Sequence, residues 1–309
     1  MVSLQRKVVL VTRKTRLDDL VARYHTLAQA RFYLEHLGAD LKDYLCEHDA
    51  YQRSLAVVQR TLADWGRYQV IDRRHLTNFI FASDDIVVAL GQDGLVANTL
   101  KYLDGQPLLG LNPEPSRWDG VLLPFAPQAL AQVLPEVAQD RRPLQAVSMA
   151  EVRLSDGQTL RAVNEVFVGQ RGHASALYDI EVAGQREQHS SSGVIVATGL
   201  GSGAWFKSVW TGAQAVARQG HGPTGSVTPT LPWDAAHLQF VVREPFPSRS
   251  SQAELVFGTV SRSQPLRLRS RMGDQGVIFS DGMEDDFLRF SAGMEACIGL
   301  SPTQGQLVH

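Results

Sequence analysis

The feature that most limits the possible folds is a change of rhythm near Pro127. Before it, apolar runs alternate with helix-like patterns; after it, short strand-like segments follow one another with turns between them. In the first part "KVVLVT" (Lys7 to Thr12) is an unbroken apolar run of buried-strand length, and two helical patterns follow. In the second of these, Leu55, Val58, Leu62 and Trp65 are spaced three and four apart, one apolar stripe along a helix. "YQVI", "DIVVAL" and "PLLGLN" supply further strands. Strands separated by helices predict a parallel sheet covered on both faces.

Beyond Pro127, "ALAQVLPEVAQD" reads as a linking helix. Then come "LQAVSMAEVRL", "TLRAVNEVFVG", "LYDIEVAG", "GVIVAT", "LQFVVRE", "LRLRSR", "GVIFSDG" and "FLRFSA". Ser155-Asp156-Gly157 and Asp281-Gly282 mark turns among them, the pattern of a mainly antiparallel β domain. The stretch "RQGHGPTGSVTPT" (Arg218 to Thr230) reads as an ordered or partly mobile loop rather than a domain linker.

A chain of 309 residues is long enough for two cores. A formal net charge of -2 without a lysine or arginine run argues against a nucleic-acid or membrane-surface partner. The opening apolar run is too short and polar for a secretion signal, and no stretch reaches the ~20 apolar residues of a membrane span. Cys46 and Cys297 have no paired spacing, which fits a reducing cytoplasm. No histidine stands in HxxxH or HExxH register, so no dedicated zinc site or other protein metal ligand set is expected.

Two glycine corners carry the chemistry. "IVVALGQDGLVANTLKYL" (Ile86 to Leu103) runs from strand through Gly91-Gln92-Asp93-Gly94 into a helix. Free N–H groups at such a helix start, with the dipole, favour phosphate oxygens. A carboxylate there is costly beside phosphates unless it acts as a general base towards an attacking hydroxyl, or holds Mg²⁺. The plainer reading makes Asp93 an N-cap. "GVIVATGLGSGAWFKSVW" (Gly193 to Trp210) repeats strand, glycine turn and helix, and Gly199, Gly201 and Ala204 match GxGxxA. The following βαβ strand is missing and the next acid, Asp234, stands behind a Pro/Gly loop, so a Rossmann dehydrogenase is disfavoured. Two anion-binding corners, one per domain, suit a cleft that grips two phosphate-bearing molecules. In "AVNEVFVG", a regular strand would put Asn164 on one face with Val166 and Glu165 on the other with Phe167. One of the two then faces a ligand or loop, or the strand is an edge with one wet face.

The order of "GQDG", "GLNPEPSRWDGVLLP", "AVNEV" and "SSGVIVATGLGSGAW" resembles the NAD kinases, most of all their mitochondrial-type branch. That resemblance implies an N-terminal α/β domain with a Rossmann-like parallel sheet (residues 1–128, with 289–309 returning to it) and a β-sandwich-like dinucleotide-binding domain (129–288). It implies transfer of the γ-phosphoryl group of ATP, with Mg²⁺, to the 2′-hydroxyl of the adenosine ribose of NAD(H), in a homodimer or higher homo-oligomer. Asp93 would be the catalytic base, Gly91 and Gly94 would shape the phosphate loop, and Asn112 would brace it. Asn164 and Glu165 would bind the acceptor's adenosine, and Thr198, Gly199, Gly201, Ser202 and Ala204 would line the dinucleotide and phosphate site.

The family loop GGDGT reads GQDGL here. A positive φ at Gln92 would strain it by about 1–2 kcal/mol, and Leu95 removes a hydroxyl donor. These changes leave open a dinucleotide-binding sensor without turnover. A lipid or sugar kinase on the same scaffold is a third reading, against which the Asn164-Glu165 pair and the 199–203 glycine stretch argue.

Overall fold

The computed structural model describes residues 6–220, 222 and 230–309, so most of the stretch read as a loop from Arg218 to Thr230 lies outside the described residues. Two compact units result: Met1–Gln145 with Gln306–His309, and Ala146–Gly305.

The first unit runs β1 (Val8–Thr12), α1 (Arg16–Tyr24), α2 (Leu27–His36), α3 (Leu41–Trp65), β2 (Tyr68–Asp72), β3 (Ile86–Leu90), α4 (Asp93–Leu100), β4 (Pro107–Leu111) and α5 (Leu130–Ala138). β1 lies between β2 and β3, β4 pairs with β3, and all three pairings are parallel. Gln306 and Leu307 of the C-terminal strand add a parallel partner to β4. The strands are apolar without alternation because both faces are covered: Val8 to Leu10 and Ile86 to Leu90 are fully buried. On one face Val8, Leu10, Val88 and Leu109 pack against Val58 and Leu62 of α3 and Leu130, Val133 and Leu134 of α5. The expected stripe on α3 is therefore the sheet-facing one, with Leu55 and Trp65 at its margin.

The two helical patterns expected after β1 become three helices. Thr15 closes a capping box on α1, His25 turns left-handed (φ 67°) to end it, Thr26 caps α2, and Asp40 caps α3. α5, read as a link, instead packs its apolar face on the first sheet. The first unit accordingly reaches Gln145, beyond the expected residue 128, and four residues return to it at the C-terminus.

The second unit contains β5 (Leu144–Leu154), β6 (Thr159–Ala162), β7 (Glu165–Gln170), β8 (Ala176–Val182), β9 (Gln185–Ser191), β10 (Val194–Ala197), α6 (Trp205–Gln219), β11 (Leu238–Val242), β12 (Phe257–Val260), β13 (Leu266–Ser270), β14 (Gly276–Ser280), β15 (Met283–Arg289) and most of β16 (Glu295–Val308). One sheet has the order β12-β11-β10-β7-β14-β15, antiparallel throughout. In the other, β9, β8, β13 and β16 are antiparallel neighbours, and β5 joins β16 to β6. Val166, Val168, Val196 and Phe240 from the first meet Val152, Tyr178, Ile180 and Leu268 from the second, a sandwich core.

The single strand expected for "TLRAVNEVFVG" is broken at Val163-Asn164, and β7 lies between β10 and β14, so the edge-strand reading fails. No helix among the described residues is long and apolar enough to cross a membrane. Leu62 has no exposure; Leu62→Ala should lower unfolding free energy by about 2–4 kcal/mol, measured by urea denaturation followed by circular dichroism.

Candidate functional site

The first corner forms where β3 ends. Gln92 is extended (φ -121°, ψ 165°) at the N-cap position and makes no side-chain cap, so the strain expected for it is absent. Asp93 is the first helical residue rather than the cap. Its Oδ1 instead accepts the Leu122 N–H at 2.7 Å, a partner 29 residues on. Gly91 has an ordinary φ; a Cβ there would lie 2.7 Å from Leu95 Cδ2 and 3.5 Å from the Arg13 stem. Leu95, in place of the family threonine, is buried and folds back over Gly91, while Gly94 stays exposed with open space around it. Leu95 and Val96 donate to the Gln92 carbonyl, and the Gln92, Asp93 and Gly94 N–H groups have no protein acceptor among the described residues.

Asn112 was expected to brace this corner. Its hydrogen bonds shape a different segment, residues 113–125: Nδ2 donates to the Trp118 carbonyl at 3.0 Å and Oδ1 accepts from Glu114 N–H at 3.0 Å. That segment passes close over β4, where a Cβ on Gly110 would stand 2.0 Å from the Leu122 carbonyl oxygen. It is tied to α3 by Ser54 Oγ donating to the Pro113 carbonyl and by Arg117, which bridges Asp43 (2.8 Å) and Glu114 (3.0 Å). The Arg117 hydrogen bond, then that of Arg16, holds the Asp43 carboxyl down at about 2. Arg16 and Arg13 also grip Glu47; burial alone would raise that carboxyl, and the two guanidinium groups outweigh it. The sequence reading gave these six charged residues no role. Their signal was dispersed, since "TRKTR", the start of α3 and "NPEPSR" meet only after folding.

In the second unit the structure brings the other expected residues to one bend. Thr198 Oγ1 donates to the Val163 carbonyl and Thr198 N–H to that of Asn164 (2.9 Å); Gly201 N–H donates to Thr198 Oγ1 at 3.1 Å. A Cβ on Gly201 would sit 1.9 Å from the Asn164 carbonyl oxygen, and one on Gly199 1.8 Å from that of Pro232. Both glycines are thus required by backbone-on-backbone contact. Ser202 is fully buried, donating to the Gly199 carbonyl at 2.7 Å and accepting from Leu231 N–H at 3.0 Å. Thr198 and Ser202 therefore build the turn, and Gly203 and Ala204 are its exposed part, at the start of α6, which has no side-chain cap.

Asn164 and Glu165 are both half-buried. Glu165 Oε2 is buried without a hydrogen-bond partner among the described residues. Burial, and next the Asp281 charge, push its carboxyl up to about 7. Beside it Phe167 stacks on Trp205 (centroids 5.4 Å apart), with the Arg243 guanidinium 5.2 Å from the Trp205 ring. Sequence reading missed Asp281, whose carboxylate accepts the N–H groups of Val163 and Asn164 at 2.9 and 2.7 Å; it had figured only as a turn residue.

No protein-family model matches the chain. It is 25% identical over 357 residues to rat (Rattus norvegicus) NAD kinase 2, mitochondrial, covering 91% of this chain and 82% of that protein. Its backbone superposes on an NAD kinase from Archaeoglobus fulgidus in complex with ATP (TM-score 0.56, 18% identity, 98% of this chain and 93% of that one). Yeast NADH kinase complexed with NADH gives TM-score 0.58 at 14% identity, covering 99% and 84%. The fold is that of the NAD kinases. The resemblance read from the four motifs thus holds along nearly the whole chain, and the α/β unit and the antiparallel unit are the two parts of the NAD kinase fold.

An acid whose folded pKa is raised binds its proton more tightly when folded, so its contribution to stability is lost as pH rises from the unfolded value near 4.5 to about 7. Thermal unfolding midpoints should therefore fall between pH 5 and 7.5. Glu165→Gln should flatten that fall and raise the midpoint at pH 8 by on the order of 3–5 °C; an unchanged pH slope would refute the assignment.

Proposed function

We propose that the chain is an ATP-dependent kinase that transfers the γ-phosphoryl group to the 2′-hydroxyl of the adenosine ribose of NAD(H), forming NADP(H). The observation that carries this reading is Asp93 at the open start of α4, with Leu122 N–H on Oδ1, in a fold shared with proteins named NAD kinase and NADH kinase. That hydrogen bond fixes the carboxylate's orientation and leaves Oδ2 to take a proton. The ribose 2′-oxygen attacks the γ-phosphorus, the bond to the bridging oxygen breaks, ADP leaves, and the hydroxyl proton passes to Asp93. The free N–H groups of Gln92, Asp93 and Gly94 receive donor phosphate oxygens. Asn164 and Glu165 hold the acceptor's adenosine, and the uncapped start of α6 beside Gly203 and Ala204 receives its diphosphate.

Mg²⁺ belongs to this reading. Among the described residues no group of three or more His, Cys, Asp or Glu could hold a cation. In this reading the ion arrives on the nucleotide phosphates and takes no carboxylate from the protein, which leaves Asp93 to act as the base. Such an ion neutralises charge on the transferring phosphoryl group. The reading also includes a homodimer or higher homo-oligomer. A cytoplasmic location is supported by two free cysteines, although the rat relative is named mitochondrial.

An assay of NADP(H) formation from ATP, Mg²⁺ and NAD or NADH tests the proposal. Bound nucleotide without product, whatever the phosphoryl donor, would make this a dinucleotide-binding protein without turnover. Asp93→Asn keeps an oxygen for Leu122 N–H, so stability should change by less than ~1 kcal/mol. Turnover should drop about 10²–10⁴-fold with nucleotide binding preserved.

A further inference from the structure

Asp281 and Gly282 form the two-residue turn between β14 and β15, where Ser280 pairs with Met283 and both turn residues have positive φ, 53° and 67°. These are the dihedral signs of a type I′ hairpin, which Asn-Gly serves as well as Asp-Gly. The turn alone gives no reason for a carboxylate. Yet the Asp281 side chain leaves its own hairpin: Oδ2 accepts Val163 N–H at 2.9 Å, and Oδ1 accepts Asn164 N–H at 2.7 Å and Glu165 N–H at 3.3 Å. The Asp281 N–H donates back to the Glu165 carbonyl at 3.1 Å. Three successive N–H groups turned toward one point make a backbone nest for an anion, and here the chain supplies the anion itself.

The carbonyl edge of the same bend is held from the other side. Thr198 takes the Val163 and Asn164 carbonyls, and Gly201 packs directly on the latter. The peptide planes of Val163 and Asn164 are therefore clamped along both edges, and backbone direction decides where the side chains of Asn164 and Glu165 stand. We propose that Asp281 is a positioning residue for the bound dinucleotide: by gathering these N–H groups it aims Asn164 and Glu165, and its charge sets how Glu165 hydrogen-bonds. The inference rests on the reading of those two residues as the adenosine-holding pair, and extends it to a residue whose carboxylate is bound to backbone N–H groups.

The neighbours of Glu165 make its charge sensitive to Asp281. Across β10 it pairs with Ala197, and the next residue in that row is Gln239 on β11, both uncharged. Among the described residues the charge acting on it is that of Asp281; the side chains of Glu284 and Asp285 lie outside them. An ionised Glu165 accepts from ribose hydroxyls, so dinucleotide affinity should rise with pH through about 7.

The test compares wild type, Asp281→Asn and Asp281→Ala. NADH binding is followed by fluorescence from pH 5.5 to 8.5, and the ligand-free Glu165 carboxyl is titrated by ¹³C NMR, assigned with Glu165→Gln. Asp281→Asn keeps an oxygen for the N–H groups. It should bind NADH within about threefold of wild type at pH 8, while both midpoints move down by about one pH unit. Asp281→Ala should weaken NADH binding about tenfold or more at every pH. Should Asp281→Ala not fold, the Asn variant decides through its midpoints. A purely structural role predicts lower melting temperatures with wild-type midpoints, and that result overturns the proposal. If wild type binds no NADH, the kinase reading falls by itself. The ligand-free titration then still judges Asp281: an unmoved Glu165 midpoint in the Asn variant overturns it.

Discussion

Each unit depends on one aspartate that reaches out of its own element to hold the backbone of another. Asp93 leaves the start of α4 to take Leu122 N–H, and Asp281 leaves a hairpin to take the N–H groups of residues 163–165. A charged acceptor makes such bonds roughly twice as strong as neutral ones, and a half-buried N–H left without a partner would cost about 1–3 kcal/mol. Leu122, Val163 and Asn164 stand outside any strand or helix that could take their N–H groups. The 113–125 segment and the 163–164 bend keep their shapes because a carboxylate completes them, and candidate site residues are on or beside both.

Close backbone approach is the second requirement. Gly110 admits the Leu122 carbonyl, Gly201 that of Asn164, and Gly199 that of Pro232, each within about 2 Å of where a Cβ would be. No side chain fits at those distances, so the glycine signature of the second corner is a packing signature first. The anion-binding role proposed for it follows indirectly. With the turn folded tightly on residue 164, the uncapped start of α6 is left facing outward at Gly203 and Ala204.

Legibility in the sequence followed the range of the interactions involved. β1 and β3 were readable because burial on both faces forces unbroken apolar runs, and α3 because its stripe has helical spacing. β9 was not, since "QREQHSS" puts polar groups inward: Ser191 meets the Tyr178 hydroxyl at 2.8 Å, and His189 meets Glu187 at 2.8 Å. Mutual hydrogen bonds let such a strand bury without apolar residues, and periodicity cannot register that. The glycine corners, Asp93 and the Asn-Glu pair stood out locally. What aims them did not, because Leu122 is 29 residues from Asp93 and Asp281 is 117 from Asn164. For the same reason the N-cap reading of Asp93 was reasonable locally and wrong in the fold.

The departures from GGDGT make physical sense once Leu95 is seen over Gly91. A threonine there would offer a hydroxyl; leucine offers only apolar surface, and that surface is used against the glycine. Gln92 sits in extended backbone open to any residue, so the second family glycine is not needed for its dihedral freedom. What remains at the corner for an anion is the set of free N–H groups and the α4 dipole, neither of which depends on side-chain identity. In the proposed reading such a loop would grip phosphate through its backbone, with Asp93 supplying the chemistry. The GQDGL sequence therefore changes the side-chain chemistry of the loop and leaves its backbone geometry open to an anion.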